Sequence, residues 1–157
     1  MKKKDLYFLV VLLVVGVMLF GVGFAKDNAP PFPPIVKELL GEAKKSIRSI
    51  DMKTLNEALQ NKEDVTIIDV RLPKDYEEGH VPGAINIPRG LLEFMIWKKV
   101  VGYPQKQETT KKIYLYCGNG NRSALGTKSL QDLGFTNAIW VDMKIAEWTK
   151  AGYPIEK

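Results

Sequence analysis

The chain has 157 residues, 45% of them hydrophobic and 26% charged, which is enough apolar material for the core of one modest domain plus a short extension. A formal charge of +5 suits anionic ligands but falls short of the clustered basic face of a nucleic-acid binder, so no nucleic-acid partner is expected. The single cysteine, Cys117, excludes an intramolecular disulfide, and the single histidine, His80, is the one candidate for a Cys/His pair.

Lys2, Lys3 and Lys4 precede an apolar run at 6–24, and Gly23 and Ala25 put small residues where a signal peptidase reads. Residues 1–25 therefore read as a cleaved signal peptide or a retained membrane anchor, because 19 apolar residues at ~1.5 Å each nearly span a hydrocarbon core of ~30 Å. In either case the lysines keep the N-terminus in the cytoplasm and send the rest across the membrane, in a bacterium into the periplasm, with attachment through residues 6–24 if the run is kept. Loss of 1–25 removes Lys2, Lys3, Lys4 and Asp5, lowering the formal charge from +5 to +3. In an oxidising compartment an unpaired thiol is a liability unless it is used or buried.

Residues 26–49 read as a proline-rich tether, with Pro30, Pro31, Pro33 and Pro34 favouring an extended chain, followed by an amphipathic helix. That helix is expected over 35–50, with Ile35, Leu39, Ala43 and Ile47 on one face and a weak point at Gly41. From 50 to 157 short apolar runs alternate with helical spacing. Strands are expected around Ile50 and at 65–70, 84–87, 112–116 and 138–141, and helices at 52–60, 74–79, 90–101, 123–134 and 143–150. This alternation predicts an α/β domain with a mainly parallel five-stranded sheet between helices. Ligands of such sheets bind beyond the carboxyl ends of the strands. Two strand ends carry chemistry: 67–71 (IIDVR) and 115–123 (LYCGNGNRS).

If Tyr116 ends a strand and Ser123 opens a helix, Gly118, Asn119, Gly120 and Asn121 are residue types that tolerate positive φ. The loop can then turn its amides inward as an anion nest at a helix N-terminus, a setting that stabilises a thiolate over a thiol. Arg122 adds a permanent charge and a planar fork for an oxyanion. The bland alternative is that Cys117 is a small buried filler at a strand end.

The loop resembles the active loop of single-domain rhodaneses, C-x-x-G-x-R-S, with Cys117, Gly120, Arg122 and Ser123 in register. The similarity extends to 67–71, to 79–88 (GHVPGAINIP), to 132–142 (DLGFTNAIWVD), to Trp148 and to 152–154, and so covers roughly 50–157 as a rhodanese-like domain with its three-layer fold. It implies a sulfurtransferase in which Cys117 takes sulfane sulfur from a small anionic donor such as thiosulfate and yields it to a thiol or cyanide. The covalent cysteine persulfide is the intermediate, and no metal or organic cofactor is needed. The amides of 118–123 would cradle the terminal sulfur. Cysteine phosphatases of related architecture place five residues between cysteine and arginine where this chain has four, which favours sulfur over phosphate. A second reading is a non-catalytic carrier or protein-binding module of the same fold.

Asp69 and Arg71 match the D-x-R block and are expected to be structural neighbours of the loop, because an acid beside a thiolate opposes its ionisation. His80, in the G-H-V-P-G-A turn, is expected to be structural too. Trp97, Trp140 and Trp148 read as core, with Met95, Trp97 and Tyr103 as an alternative wall of the site. Met143 and Lys144 stand where many rhodaneses carry a glycine pair, and they are expected to narrow the pocket or bring a cation to it.

Overall fold

A computed structural model describes residues 32–157; the expected signal or anchor at 1–25 and most of the proline tether lie outside them. The first helix, α1 (Pro34–Ser46), opens on a proline, whose missing N–H costs nothing in a first turn. It ends four residues before the expected Ile50, because Ser49–Asp51 is drawn into strand β1, and Gly41 does not interrupt it. There follow α2 (Met52–Gln60), β2 (Thr66–Asp69), α3 (Pro73–Glu78) and β3 (Ile85–Asn86). A 3₁₀ turn, Arg89–Leu91, leads into α4 (Leu92–Ile96) and a π-helical turn, Trp97–Val101. The chain closes with β4 (Ile113–Tyr116), α5 (Asn121–Asp132), β5 (Ala138–Asp142) and α6 (Ile145–Lys150). Pro34–Lys157 form one compact unit. Among the described residues no helix is long and apolar enough to cross a membrane.

The sheet runs β1-β5-β4-β2-β3 with every pairing parallel, so all five strands deliver their carboxyl ends to one edge. After β2 the chain moves outward to β3, and after β4 it moves the other way to β5. The loops leaving these adjacent strands therefore diverge and open a crevice between them, the place where a parallel sheet receives a ligand.

Strand alternation sorts the core into two layers. Ile68, Leu115 and Cys117 point to one face with Leu92, Ile96 and Leu130 from α4 and α5. Ile67, Tyr114, Tyr116 and Val141 point to the other, where Leu55 of α2 and Trp148 of α6 cover them. A smaller cluster of Ile47, Ala124 and Trp140 seats the residues after α1 against α5. Near-complete burial of the sheet on both faces explains why β2 and β4 read as unbroken apolar runs.

Trp140 and Trp148 are core residues, as expected. Trp97 packs on Phe135 with tilted rings 5.1 Å apart, and Lys111, just before β4, donates to the Val100 carbonyl at 3.2 Å. Both contacts lie at the amino ends of β4 and β5. Trp97 and Tyr103 therefore line a groove of about 450 Å³ at the edge away from Cys117 and do not wall the site; Met95 packs on the core beside them.

Candidate active site

Cys117 directly follows β4 and is completely buried. Its Sγ lies 3.4 Å from the Ser123 hydroxyl oxygen and 3.9 Å from Asn119 Oδ1. Helix α5 starts at Asn121, two residues before the expected Ser123, so the loop proper is residues 117–120 and Arg122 stands in the first helical turn. Of the four residues expected to permit positive φ, only Gly120 uses it, at 82°. A Cβ there would meet Trp140 Cζ2 at 3.3 Å, so glycine answers both a conformational and a steric demand. The Gly120 carbonyl accepts from Ala124 N–H at 3.0 Å and from the Ser123 hydroxyl at 3.1 Å. Asn119 Oδ1 takes the Asn121 N–H at 3.3 Å. The N–H groups of Arg122 and Ser123 come before the first intrahelical bond, Ala124 to Gly120, and belong to the unsatisfied donors of a helix N-terminus.

Asp69 and Arg71 form a buried pair at the end of β2, across the crevice. Arg71 Nη2 lies 2.7 Å from Asp69 Oδ2 and Nε 2.8 Å from the same oxygen, while the Arg71 N–H donates to Oδ1 at 2.9 Å. Burial alone would lower the Arg71 pKa, but hydrogen bonding and charge from Asp69 outweigh it and hold the guanidinium above its usual value. Arg71 also donates to the Gly79 carbonyl at 2.7 Å, which ties β2 to the turn carrying His80. Beneath them Tyr116 donates no charge to the site: burial, then the Asp69 carboxylate, push its phenol well above the ordinary range, and the neutral hydroxyl accepts from Val81 N–H at 3.0 Å.

His80 stacks on Tyr76 at 3.6 Å, and its Nδ1 is 3.0 Å from the Tyr76 carbonyl. Its backbone exchanges two hydrogen bonds of 2.9 Å with Glu156, pinning the C-terminal segment. His80 thus belongs to the layer of Tyr116 and Val81, while Cys117 points into the opposite layer. The two are on different faces of the sheet.

Some charged residues near the loop carried no signal in the sequence. Arg122 Nη2 lies 3.9 Å from Asp75 Oδ2 on α3, with both side chains partly exposed. Asp142 Oδ1 is 3.6 Å from the point a Gly120 Cβ would occupy. Lys44 of α1 reaches Asn121. Each approach spans tens of residues and depends on which strands are neighbours. Met143, expected to narrow the pocket, is instead buried in the core. Lys144 is exposed and bound to Glu147 at 2.7 Å, so its charge is already partnered. Among the described residues no cluster of three or more His, Cys, Asp or Glu is disposed to hold a metal.

The buried pair yields a prediction about stability. Asp69→Ala should cost about 3–5 kcal/mol in urea unfolding, because it leaves the Arg71 guanidinium buried without its carboxylate. A loss below about 1 kcal/mol would show that Arg71 escapes to water and that the pair does not organise this edge.

The model of the rhodanese-like domain matches residues 51–151. The chain is 30% identical over 104 residues to YrkF of Bacillus subtilis, a candidate sulfur carrier protein; the alignment covers 66% of this chain but about half, 52%, of that protein. It is 37% identical over 70 residues to the thiosulfate sulfurtransferase PspE of Escherichia coli, covering 45% of this chain and 62% of the relative. Among solved structures, a Rhodopseudomonas palustris protein of unknown function, described as a possible tyrosine phosphatase, is 35% identical with a TM-score of 0.67, covering 77% of this chain and 93% of that one. With the divergent crevice between β2 and β4 and the cysteine loop at its lip, the match leaves one assignment: this chain belongs to the rhodanese-like family, whose relatives here include sulfurtransferases.

Proposed function

We propose that the domain transfers sulfane sulfur through a persulfide on Cys117, with thiosulfate as donor and a thiol or cyanide as acceptor. The observation that carries this reading is the position of the only cysteine, against the first turn of α5 and with four residues between it and Arg122. In the first step the Cys117 thiolate attacks the outer sulfur of thiosulfate. The S–S bond of the donor breaks, its electron pair leaves with sulfite, and Cys117 carries a persulfide anion. In the second step the acceptor thiolate or cyanide attacks the terminal sulfur, and the electron pair of that S–S bond returns to Cys117.

The chain's own groups suit these steps. The helix N-terminus and its free amides stabilise negative charge on sulfur, and the Ser123 hydroxyl, 3.4 Å from Sγ and 3.1 Å from the Gly120 carbonyl, can turn its single proton toward a charged sulfur. Arg122, partly exposed at the mouth, attracts the anionic donor. Because Cys117 has no exposed surface, the loop must open for the donor to reach the sulfur, and the Asn119 side chain, 3.9 Å from Sγ, is one group placed to move. The four-residue spacing to Arg122 is shorter than the five residues of cysteine phosphatases, which favours sulfur over phosphate and argues against carrying the phosphatase description of the Rhodopseudomonas protein over to this chain.

The complete burial of Cys117 and the similarity to YrkF favour a second reading, a carrier that holds sulfur without turning over. Intact mass after incubation with thiosulfate should show wild-type protein gaining one sulfur atom, with no gain in Cys117→Ser. Discharge of that sulfur by cyanide over many cycles supports the enzyme, and a single discharge per protein supports the carrier. A reduced, folded sample that takes up no sulfur sinks both. Arg122→Ala should raise the thiosulfate KM roughly tenfold or more, as expected for loss of a charge-assisted contact; an unchanged KM would place donor binding elsewhere.

Export belongs to the same proposal. The lysines at 2–4 and the apolar run at 6–24 support it, whether the run is cleaved or retained as an anchor. Cell fractionation of the full chain with a C-terminal tag should recover it outside the cytoplasm. Recovery only in the cytosolic fraction would overturn this part.

A further inference from the structure

Helix α1 precedes the residues matched by the family, yet its last turn touches the cysteine loop. Lys44 Nζ donates to Asn121 Oδ1 at 3.1 Å and stands 5.0 Å from the centre of the Trp140 ring. Trp140 is in turn the surface on which Gly120 rests, with Cζ2 only 3.3 Å from a Cβ that glycine lacks. Ile47, Ala124 and Trp140 close the apolar side of the same contact. A lysine facing the start of a helix is electrostatically unfavourable by itself, since that end carries partial positive charge. Here Asn121 Oδ1 and the indole face supply the offsetting attraction, and the position of Lys44 in the last turn of α1 is favoured by that helix's own dipole.

We propose that Lys44 is a positioning residue for sulfur transfer: it fixes Asn121 and Trp140, and through them the curvature of residues 117–122. The inference rests on the reading of Cys117 as the sulfur-carrying residue. Two features separate Lys44 from an ordinary surface lysine. It bonds the residue immediately before Arg122, so it acts on the turn that sets where the guanidinium and the first free amides point. It also stands against the indole on which Gly120 rests, the one loop residue with positive φ. The N-terminal helix thereby completes a loop whose other walls come from β4, β5 and α5.

The test compares Lys44→Gln and Lys44→Arg with wild type in the full domain. Thermal unfolding shows whether the fold is kept, amide hydrogen exchange at residues 118–122 reports loop order, and steady-state kinetics with thiosulfate and cyanide report function. For Lys44→Gln the expected result is a roughly fivefold to tenfold fall in kcat/KM, faster exchange confined to the loop, and an unfolding temperature within a few degrees of wild type. Lys44→Arg, which keeps the charge and the donor, should restore both readouts. The proposal is overturned if Lys44→Gln leaves loop exchange and kcat/KM within twofold of wild type. It is equally overturned if arginine is as poor as glutamine, or if exchange rises throughout the domain. Should the wild type take up no sulfur, the sulfur-transfer reading fails by that result, and the exchange comparison alone decides whether Lys44 orders the loop.

Discussion

The arrangement depends first on one buried charge. Asp69 ends β2 with no exposed surface, and a carboxylate in that position must be paired and hydrogen-bonded or it destabilises the fold. Arg71, two residues on, supplies both its guanidinium and its backbone N–H, and Asn86 of β3 donates to the Asp69 and Arg71 carbonyls at 3.0 and 3.1 Å. The same guanidinium reaches Gly79, so the carboxyl ends of β2 and β3 and the turn before β3 are fastened together. This fastening holds one lip of the crevice still. The other lip, the loop after β4, is the one that carries the thiol.

The second constraint is strand parity. Tyr116 and Cys117 are consecutive and point to opposite layers, which gives the sheet a phenol that anchors Val81 on one face and a thiol beside α5 on the other. Parity also separates His80 from the sulfur. The first turn of α5 and the Ser123 hydroxyl are therefore what the structure sets beside Cys117, on the face away from His80.

Much of the fold was legible in the sequence because its signals are local. The apolar, β-branched run ending in Asp69 and the alternation between helical and strand spacing report burial directly, and the run of glycine and asparagine after Tyr116 marks where the backbone must turn. Errors fell at boundaries and at the rim. The start of α5 was placed at the hydroxyl residue Ser123, whereas Gly120, through its positive φ, caps the helix earlier and moves Asn121 and Arg122 into its first turn. Met143 and Lys144 are expected from the sequence to narrow the pocket or bring it a cation, but the Met143 side chain packs in the core and Lys144 is exposed and held by Glu147. Tyr103 and Trp97 were offered as neighbours of the thiol and stand at the other edge of the sheet.

The sequence by itself determined the chemistry on offer: one thiol, a turn able to curl around it, an arginine at a four-residue spacing, and enough alternating apolar structure for a parallel sheet to present them. These are properties of residue type and spacing, so they survive without coordinates. Only the tertiary structure decided which distant side chains meet that turn. The strand order β1-β5-β4-β2-β3 brings α3 with Asp75, β5 with Trp140 and Asp142, and α1 with Lys44 to the loop from three different parts of the chain. Strand neighbourhood arises from the directions of the crossovers and from packing across two layers. Neither quantity is written in any local pattern, which is why the loop could be read from the sequence and its surroundings could not.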